Sequence, residues 1–200
     1  CGELRTIISR NFAREVPQEK LDARKGPRFY IAHQIALNPR SKTTPARVVF
    51  NASQLYRGHS LNTSIKKGPD MLCPLNSVLL RFREGEEAGY GDISKMFYMV
   101  GVAEEDQWMQ LWVIQWPGEE VVRTYQMCVC IMGVKPSSNY AIIALRLSAS
   151  LGDNAAKHPD AKKALEDDSY MDDVFFTAPN KEKLLEKAKS LQVVGESGGF

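Results

Sequence analysis

Three carboxylates in two separate stretches carry the chemistry this sequence could do. Tyr170-Met171-Asp172-Asp173 places two adjacent acids just before the apolar run Val174-Phe175-Phe176. Short strands on either side of a two-residue turn would lift both acids onto the tip of a hairpin. Burying their neighbours while leaving two carboxylates unpaired is costly unless a cation lies beside them. The third acid is Asp92, in Gly91-Asp92-Ile93-Ser94-Lys95-Met96-Phe97. Oxygen donors brought together from separate strands suit Mg²⁺, which takes a few carboxylates and completes its shell with water and phosphate oxygens. Two such ions serve in-line transfer at phosphorus, one activating the attacking hydroxyl and the other steadying the leaving group. An exposed acidic turn continuing the run Glu166-Asp167-Asp168 is the plain alternative for the tetrapeptide. Phe97, taken alone, reads as ordinary core.

The remaining reactive side chains point elsewhere. Cys1, Cys73, Cys128 and Cys130 show no framework spacing and have no second Cys/His pair at ligand distance, which disfavours a zinc site. Cys128 and Cys130 alternate with apolar residues and are expected to share one face of a strand. Free thiols fit a reducing, cytoplasmic compartment. His33 reads as structural, and His59 and His158 as solvated; none has the partners of a nucleophilic triad. Trp108, Trp112 and Trp116 recur every four residues, and core packing is preferred for them over base stacking.

Composition and charge bound the context. Hydrophobic residues make up 44% of the chain and charged ones 25%, an ordinary globular balance. No apolar run reaches the roughly 20 residues that span a bilayer, so no membrane partner is expected. Arg5, Arg10 and Arg14 interrupt the opening stretch, which does not read as a signal peptide. The chain opens on Cys1 and closes on Gly198-Gly199-Phe200, and is read as an excerpt of something longer. Residues 1–70 hold 13 Lys and Arg against 5 Asp and Glu, while residues 71–200 hold 13 against 19. A basic half able to meet phosphates is thus joined to an acidic half able to hold divalent metal.

The elements that must position these residues are partly legible. The segment to about Lys25 reads as a weakly helical, polar lead-in. Arg28 to Leu37 and Arg47 to Phe50 read as strands joined through Asn38–Pro45, a basic hairpin. Gln54 to Asp70 is loop-rich. Leu72 to Phe82 has helical spacing, with Pro74 acceptable in the first turn and Gly85 and Gly89 bracketing its exit. Tyr90 to Val102 reads as a strand entering a turn, and Leu111–Trp116 and Tyr125–Met132 as apolar strands. Ser137 to Ser150 is an apolar helix, Ser169 to Thr177 a tight hairpin. Asn180 should cap a helix with Leu184, Leu185, Ala188 and Leu191 on one face. Strands and helices in non-alternating order predict an α+β fold.

Several stretches follow one another in a telling order: Tyr30–Gln34, Thr43–Ser53, Ser60-Leu61-Asn62, Lys67–Asp70, Val78–Arg83, Asp92–Phe97, Glu104-Glu105-Asp106, Tyr170–Asp173 and Gly198-Gly199-Phe200. Along almost the whole chain they resemble the reverse transcriptases of BEL/Pao-type LTR retrotransposons. The resemblance implies right-hand polymerase fingers and palm subdomains, an antiparallel palm sheet packed on helices, and an end before the thumb. Fingers would occupy residues 1–88 and palm 89–200, with part of the fingers returning around 103–132.

The activity so implied is RNA-directed DNA polymerisation, in which two Mg²⁺ (or Mn²⁺) add dNTPs to a primer 3′-hydroxyl on an RNA or DNA template. Asp92, Asp172 and Asp173 would be the catalytic acids and metal ligands, joined by the backbone carbonyl of Ile93. Arg47, Phe97, Gly133, Tyr170 and Met171 would form the substrate-binding set. Within it Arg47 holds the triphosphate, Phe97 excludes a ribose 2′-hydroxyl, and Gly133 lets the backbone approach template and nucleotide. Lys42 is a weaker candidate for Arg47's task. Partners would be template-primer, dNTPs and the rest of a polyprotein carrying protease, ribonuclease H and integrase, within a cytoplasmic virus-like particle. Met132–Ser138 departs from the family pattern, with Lys135 present and Pro136 shifted, and Met99 replaces a polar residue. Two other readings stand beside this one: a degenerate, non-catalytic nucleic-acid-binding remnant, and an unrelated Mg²⁺-dependent phosphohydrolase.

Overall fold

A computed structural model describes residues 2–41, 45–150 and 152–200, so Cys1, Lys42, Thr43 and Thr44 lie outside the described residues. In chain order the elements begin with α1 (Gly2–Ser9), β1 (Ala13–Glu15), α2 (Gln18–Ala23), β2 (Ala32–Leu37) and β3 (Ala46–Asn51). Then come α3 (Leu61–Ser64), α4 (Leu75–Arg81), β4 (Glu87–Asp92), a 3-10 turn at Met96–Met99, and α5 (Glu104–Gln107). The second half runs β5 (Leu111–Gln115), β6 (Val122–Met127), α6 (Ser137–Ser150), α7 (Gly152–Lys157), α8 (Pro159–Asp167), β7 (Ser169–Tyr170), β8 (Asp173–Ala178) and α9 (Lys181–Ser197). They form two compact units, each built from two stretches: Cys1–Lys67 with Val100–Ser137, and Gly68–Met99 with Ser138–Phe200. The anticipated division after residue 88 falls inside β4, and the anticipated return at 103–132 falls inside the first unit.

The first unit holds an antiparallel sheet of order β1-β6-β5 and the separate hairpin β2-β3. Its core is aromatic. Trp112 and Tyr125 are cross-strand partners and stack at 4.7 Å between ring centroids. Phe50 and His33 meet Trp112 edge-on at 6.0 and 5.4 Å, and burial lowers the His33 pKa. Trp116 donates from Nε1 to the Tyr125 hydroxyl at 3.1 Å. Trp112 and Trp116 therefore pack as core on one face of a strand, as an i, i+4 pair must. The lead-in carries two short helices, α1 and α2, and between them Ala13–Glu15 is recruited as β1 by pairing with Tyr125–Met127.

The strand expected to reach Met132 stops at Met127. Cys128 donates its N–H to Phe12 O at 2.8 Å, and Cys130 donates to Val100 O at 2.8 Å. The first of these bonds continues the β1–β6 register by one rung, and Val129 then bridges Gly101. Cys130 is buried, and burial pushes its thiol pKa up to about 11.

The second unit is a three-stranded antiparallel sheet of order β4-β8-β7 backed by helices. Alternate residues of β8 (Val174, Phe176 and Ala178) are buried, while Asp173, Phe175 and Thr177 line the other face. Gly89 lies opposite Phe176, and a Cβ there would come within 2.8 Å of its ring, so a larger residue would have to displace that ring. Gly89 therefore belongs to the middle of β4, an edge strand, not to the exit of α4. Asn180 caps α9 by accepting from the Lys183 N–H at 2.9 Å. Leu185 of that helix is 55% exposed, so the expected four-residue apolar face loses one member and Val194 supplies the buried anchor.

Candidate active site

The acids meet at one end of the β4-β8-β7 sheet. Asp92 ends β4 and Asp173 opens β8, and the two are direct cross-strand partners. Opposite residues of an antiparallel pair project from the same face, with Cβ atoms about 4.5–5.5 Å apart. The next partners inward are Gly91 with Val174 and Tyr90 with Phe175, so the acids share their face with Tyr90 and Phe175. Asp172 stands beside them in the two-residue turn between Tyr170 and Asp173, which themselves pair. Its carbonyl accepts from the Ile93 N–H at 2.7 Å, extending the ladder one step past Asp92.

Local backbone geometry makes this possible. Met171, first residue of the turn, has φ of 56°, the sense that matches a tight hairpin to the twist of its strands. A non-glycine residue there carries strain, which the paired strands on both sides must hold. Lys95, also left-handed at 57°, turns the chain after β4 into the 3-10 turn bearing Phe97. The Ile93 carbonyl accepts from the Met96 N–H at 3.2 Å and keeps a second lone pair for another donor or a cation.

One ion pair braces the hairpin from behind. Arg81, at the end of α4, donates from Nε to the Asp168 carboxylate and from a terminal nitrogen to the Asp167 carbonyl. It anchors the segment from which β7 starts. Sequence reasoning assigned this arginine no role, because its partner lies 87 residues away.

The acids repel one another. Burial, then the neighbouring Asp172, then Asp92 raise the Asp173 pKa above the ordinary carboxylate range. Among the described residues, no group of three or more His, Cys, Asp or Glu is gathered closely enough to hold a metal ion. Carboxylate oxygens are the donor type that Mg²⁺ takes, a few at a time, with water and substrate completing its shell.

The other candidates are distributed as follows. Tyr170 and Met171 are half-buried in the hairpin, and Phe97 is buried with 9% of its surface exposed. Arg47 is exposed on β3 opposite Ala36, in the first unit. Gly133, also in the first unit, has φ of 99°, and a Cβ on it would come within 2.6 Å of the Phe50 carbonyl oxygen. Its glycine is thus required by packing inside the unit, whatever may approach from outside. The altered loop does not displace the following helix: α6 starts at Ser137, directly after Pro136. Lys42 lies outside the described residues.

Neither a protein-family model nor a curated protein matches the sequence. Solved structures do match. A foamy viral protease-reverse transcriptase (dRH) in complex with double-stranded DNA is similar over 96% of this chain, with a TM-score of 0.69 at 11% identity. The native prototype foamy virus protease-reverse transcriptase is similar over 98%, with a TM-score of 0.65 at 11% identity. Another foamy viral protease-reverse transcriptase with double-stranded DNA gives 0.64 at 12% identity over 98%. This chain spans only 28%, 22% and 34% of those three chains. At such identities the likeness speaks to architecture, and the chain has a reverse-transcriptase-like fold.

Proposed function

We propose that this chain is the fingers–palm portion of an RNA-directed DNA polymerase of the BEL/Pao retrotransposon type, adding dNTPs to a primer 3′-hydroxyl. The carrying observation is the register that sets Asp92 opposite Asp173, with Asp172 in the adjoining turn. The first unit would be fingers and the second palm. The double-stranded DNA held by two of the similar foamy viral structures supports a template-primer as partner.

Asp92, Asp172 and Asp173, with the Ile93 carbonyl, would hold two Mg²⁺ (or Mn²⁺). When bound, these ions supply charge neutralisation and activation of the primer hydroxyl. The chain's own residues do the positioning. Arg47 presents a guanidinium, whose planar fork suits the triphosphate. Phe97, held in the turn after Asp92, sets the depth of the sugar pocket and excludes a 2′-hydroxyl. Tyr170 and Met171 shape the hairpin beneath the primer end. The basic first 70 residues grip phosphates without reading sequence, so binding weakens with salt.

Primer extension by the full-length protein, on an RNA template with a DNA primer, tests the reading. Extension that requires Mg²⁺ and is abolished by Asp172→Asn is the expected result. Phe97→Ala should admit ribonucleotides. Nucleic-acid binding with no extension at any Mg²⁺ or Mn²⁺ concentration would mark a non-catalytic remnant instead.

A further inference from the structure

Asn62 ties three stretches of the first unit together. Its backbone N–H donates to Ala52 O at 3.0 Å, just past β3. Its Nδ2 donates to Ser53 Oγ at 2.9 Å and to the Gly133 carbonyl at 2.8 Å. Its Oδ1 accepts from the Lys135 N–H at 2.8 Å, and its backbone carbonyl accepts from Lys135 Nζ at 3.0 Å. A side-chain amide is the one group with two donors at one end and an acceptor at the other. The backbone partners fix its orientation, since a carbonyl cannot donate and an N–H cannot accept.

What Asn62 holds is the loop between the two acid-bearing stretches. Met132 there is 66% exposed, so the loop is a surface one. Surface loops ordinarily lack fixed partners and vary in conformation. This one is fastened at successive points: Gly133 against the Phe50 carbonyl and through Asn62, Lys135 through Asn62, and Ser137 by its N–H to Val134 O at 3.0 Å. Asn62 is itself fixed by the turn it occupies. Ser60 and Thr63 form a reciprocal cap around the start of α3. Lys135, the residue that breaks the family-like pattern of the loop, contributes two of the hydrogen bonds.

We propose that Asn62 is the positioning residue of the 132–136 loop, fixing that backbone as the floor against which template and incoming nucleotide are placed. The inference rests on the polymerase reading for its consequence, but not for its geometry. Asn62 acts through Gly133 and Lys135. Its loss leaves the three acids in place and loosens the surface that orients the nucleotide. The cost should therefore fall on nucleotide KM and base discrimination, with kcat retained.

Two measurements on Asn62→Ala and Asn62→Asp in the full-length protein decide it. The first is amide hydrogen exchange across 132–136. Asn62→Ala should speed exchange there by about fivefold to tenfold, the scale of losing one such bond. Asn62→Asp keeps the acceptor for Lys135 and should protect the Lys135 amide more than Ala does. The second is single-nucleotide incorporation, where both variants should raise dNTP KM by about fivefold or more with kcat within about twofold. Unchanged exchange in both variants overturns the clamp, whatever the activity. Faster exchange with unchanged KM and fidelity overturns the positioning role. An inactive wild-type protein sinks the polymerase reading separately, and a KM effect accompanied by an equal loss of kcat also counts against Asn62 as a positioning residue.

Discussion

Asp92 and Asp173 face each other directly across β4 and β8, two acids on opposed strand ends with Asp172 in the turn beside them. Like charges placed opposite on a sheet destabilise it, so this fold tolerates a local cost where these carboxylates from separate strands meet.

That cost has a pH signature. The folded state keeps the Asp173 proton to higher pH than the unfolded chain, because burial and then the two neighbouring acids raise its pKa. Between the ordinary carboxylate value and the raised one, the folded form binds more protons, so stability falls as pH rises through that window. Asp173→Asn should remove this slope and stabilise the protein at neutral pH by about 0.2–1 kcal/mol. Denaturant titrations across the acid-to-neutral range, with and without the substitution, check it. A variant less stable than wild type at neutral pH would contradict it.

The turn itself offers a second test. Met171 adopts a φ of 56°, where an L side chain costs about 1–2 kcal/mol. Glycine removes that strain but gains unfolded-state entropy worth about 0.5–1 kcal/mol. Met171→Gly should leave stability unchanged or raise it by up to about 1 kcal/mol. A clear loss in thermal denaturation would mean that the methionine side chain contributes packing larger than the strain.

Arg81 is the brace behind the hairpin. Its side chain is 31% exposed and that of Asp168 14%, so solvent screens the pair only in part. Arg81→Ala removes hydrogen bonds to a carboxylate and a carbonyl, and should cost about 1–2 kcal/mol. A double-mutant cycle with Asp168→Ala should return a coupling of at least about 0.5 kcal/mol. Additive effects would show that the pair is incidental.

Gly133 tests why the loop carries a glycine. A Cβ would press to 2.6 Å on the Phe50 carbonyl at a φ of 99°. Gly133→Ala should therefore destabilise the first unit by more than about 2 kcal/mol, even with no substrate present. An alanine variant of wild-type stability that failed only in nucleotide binding would place the requirement outside the fold.

Thiol chemistry separates the cysteines. With its pKa pushed up to about 11 by burial, Cys130 carries almost no thiolate near neutrality. It should resist alkylation in the native protein and react only on unfolding, as peptide mapping by mass spectrometry would reveal. Rapid native labelling would contradict the buried position.

Local signals were readable wherever a residue's role depends on its sequence neighbours. A tight hairpin around the acid pair, the helix from Ser137 and the cap at Asn180 all emerge from spacing and residue type, although the turn falls at Met171 and Asp172, one residue earlier than the acids suggest. What depended on distant partners was not readable. Ala13–Glu15 becomes a strand only because β6 pairs with it, and Gly89 sits in mid-strand because β8 lies alongside β4. The same holds within the candidate site. The acid pair stood out by its apolar flanks and Asp92 through the family resemblance, but the register that sets Asp92 against Asp173 is a property of the folded sheet. Arg81 and Asn62 lie in stretches that carry the family resemblance, but neither received a role, since each has partners more than seventy residues away.

Neither unit is continuous in the chain: the first closes only with the stretch that ends at Ser137, and β1 must wait for β6. A ribosome therefore delivers α1 to α3, with the exposed apolar Ile35 and Leu37 of the β2-β3 hairpin, long before the partners of β1 exist. Long-range strand pairing of this kind is slow and leaves unpaired edges open to misassociation. The nascent protein must survive as an incomplete, sticky intermediate until its middle third has emerged, which makes its yield in a cell sensitive to chaperone supply and to the pace of translation.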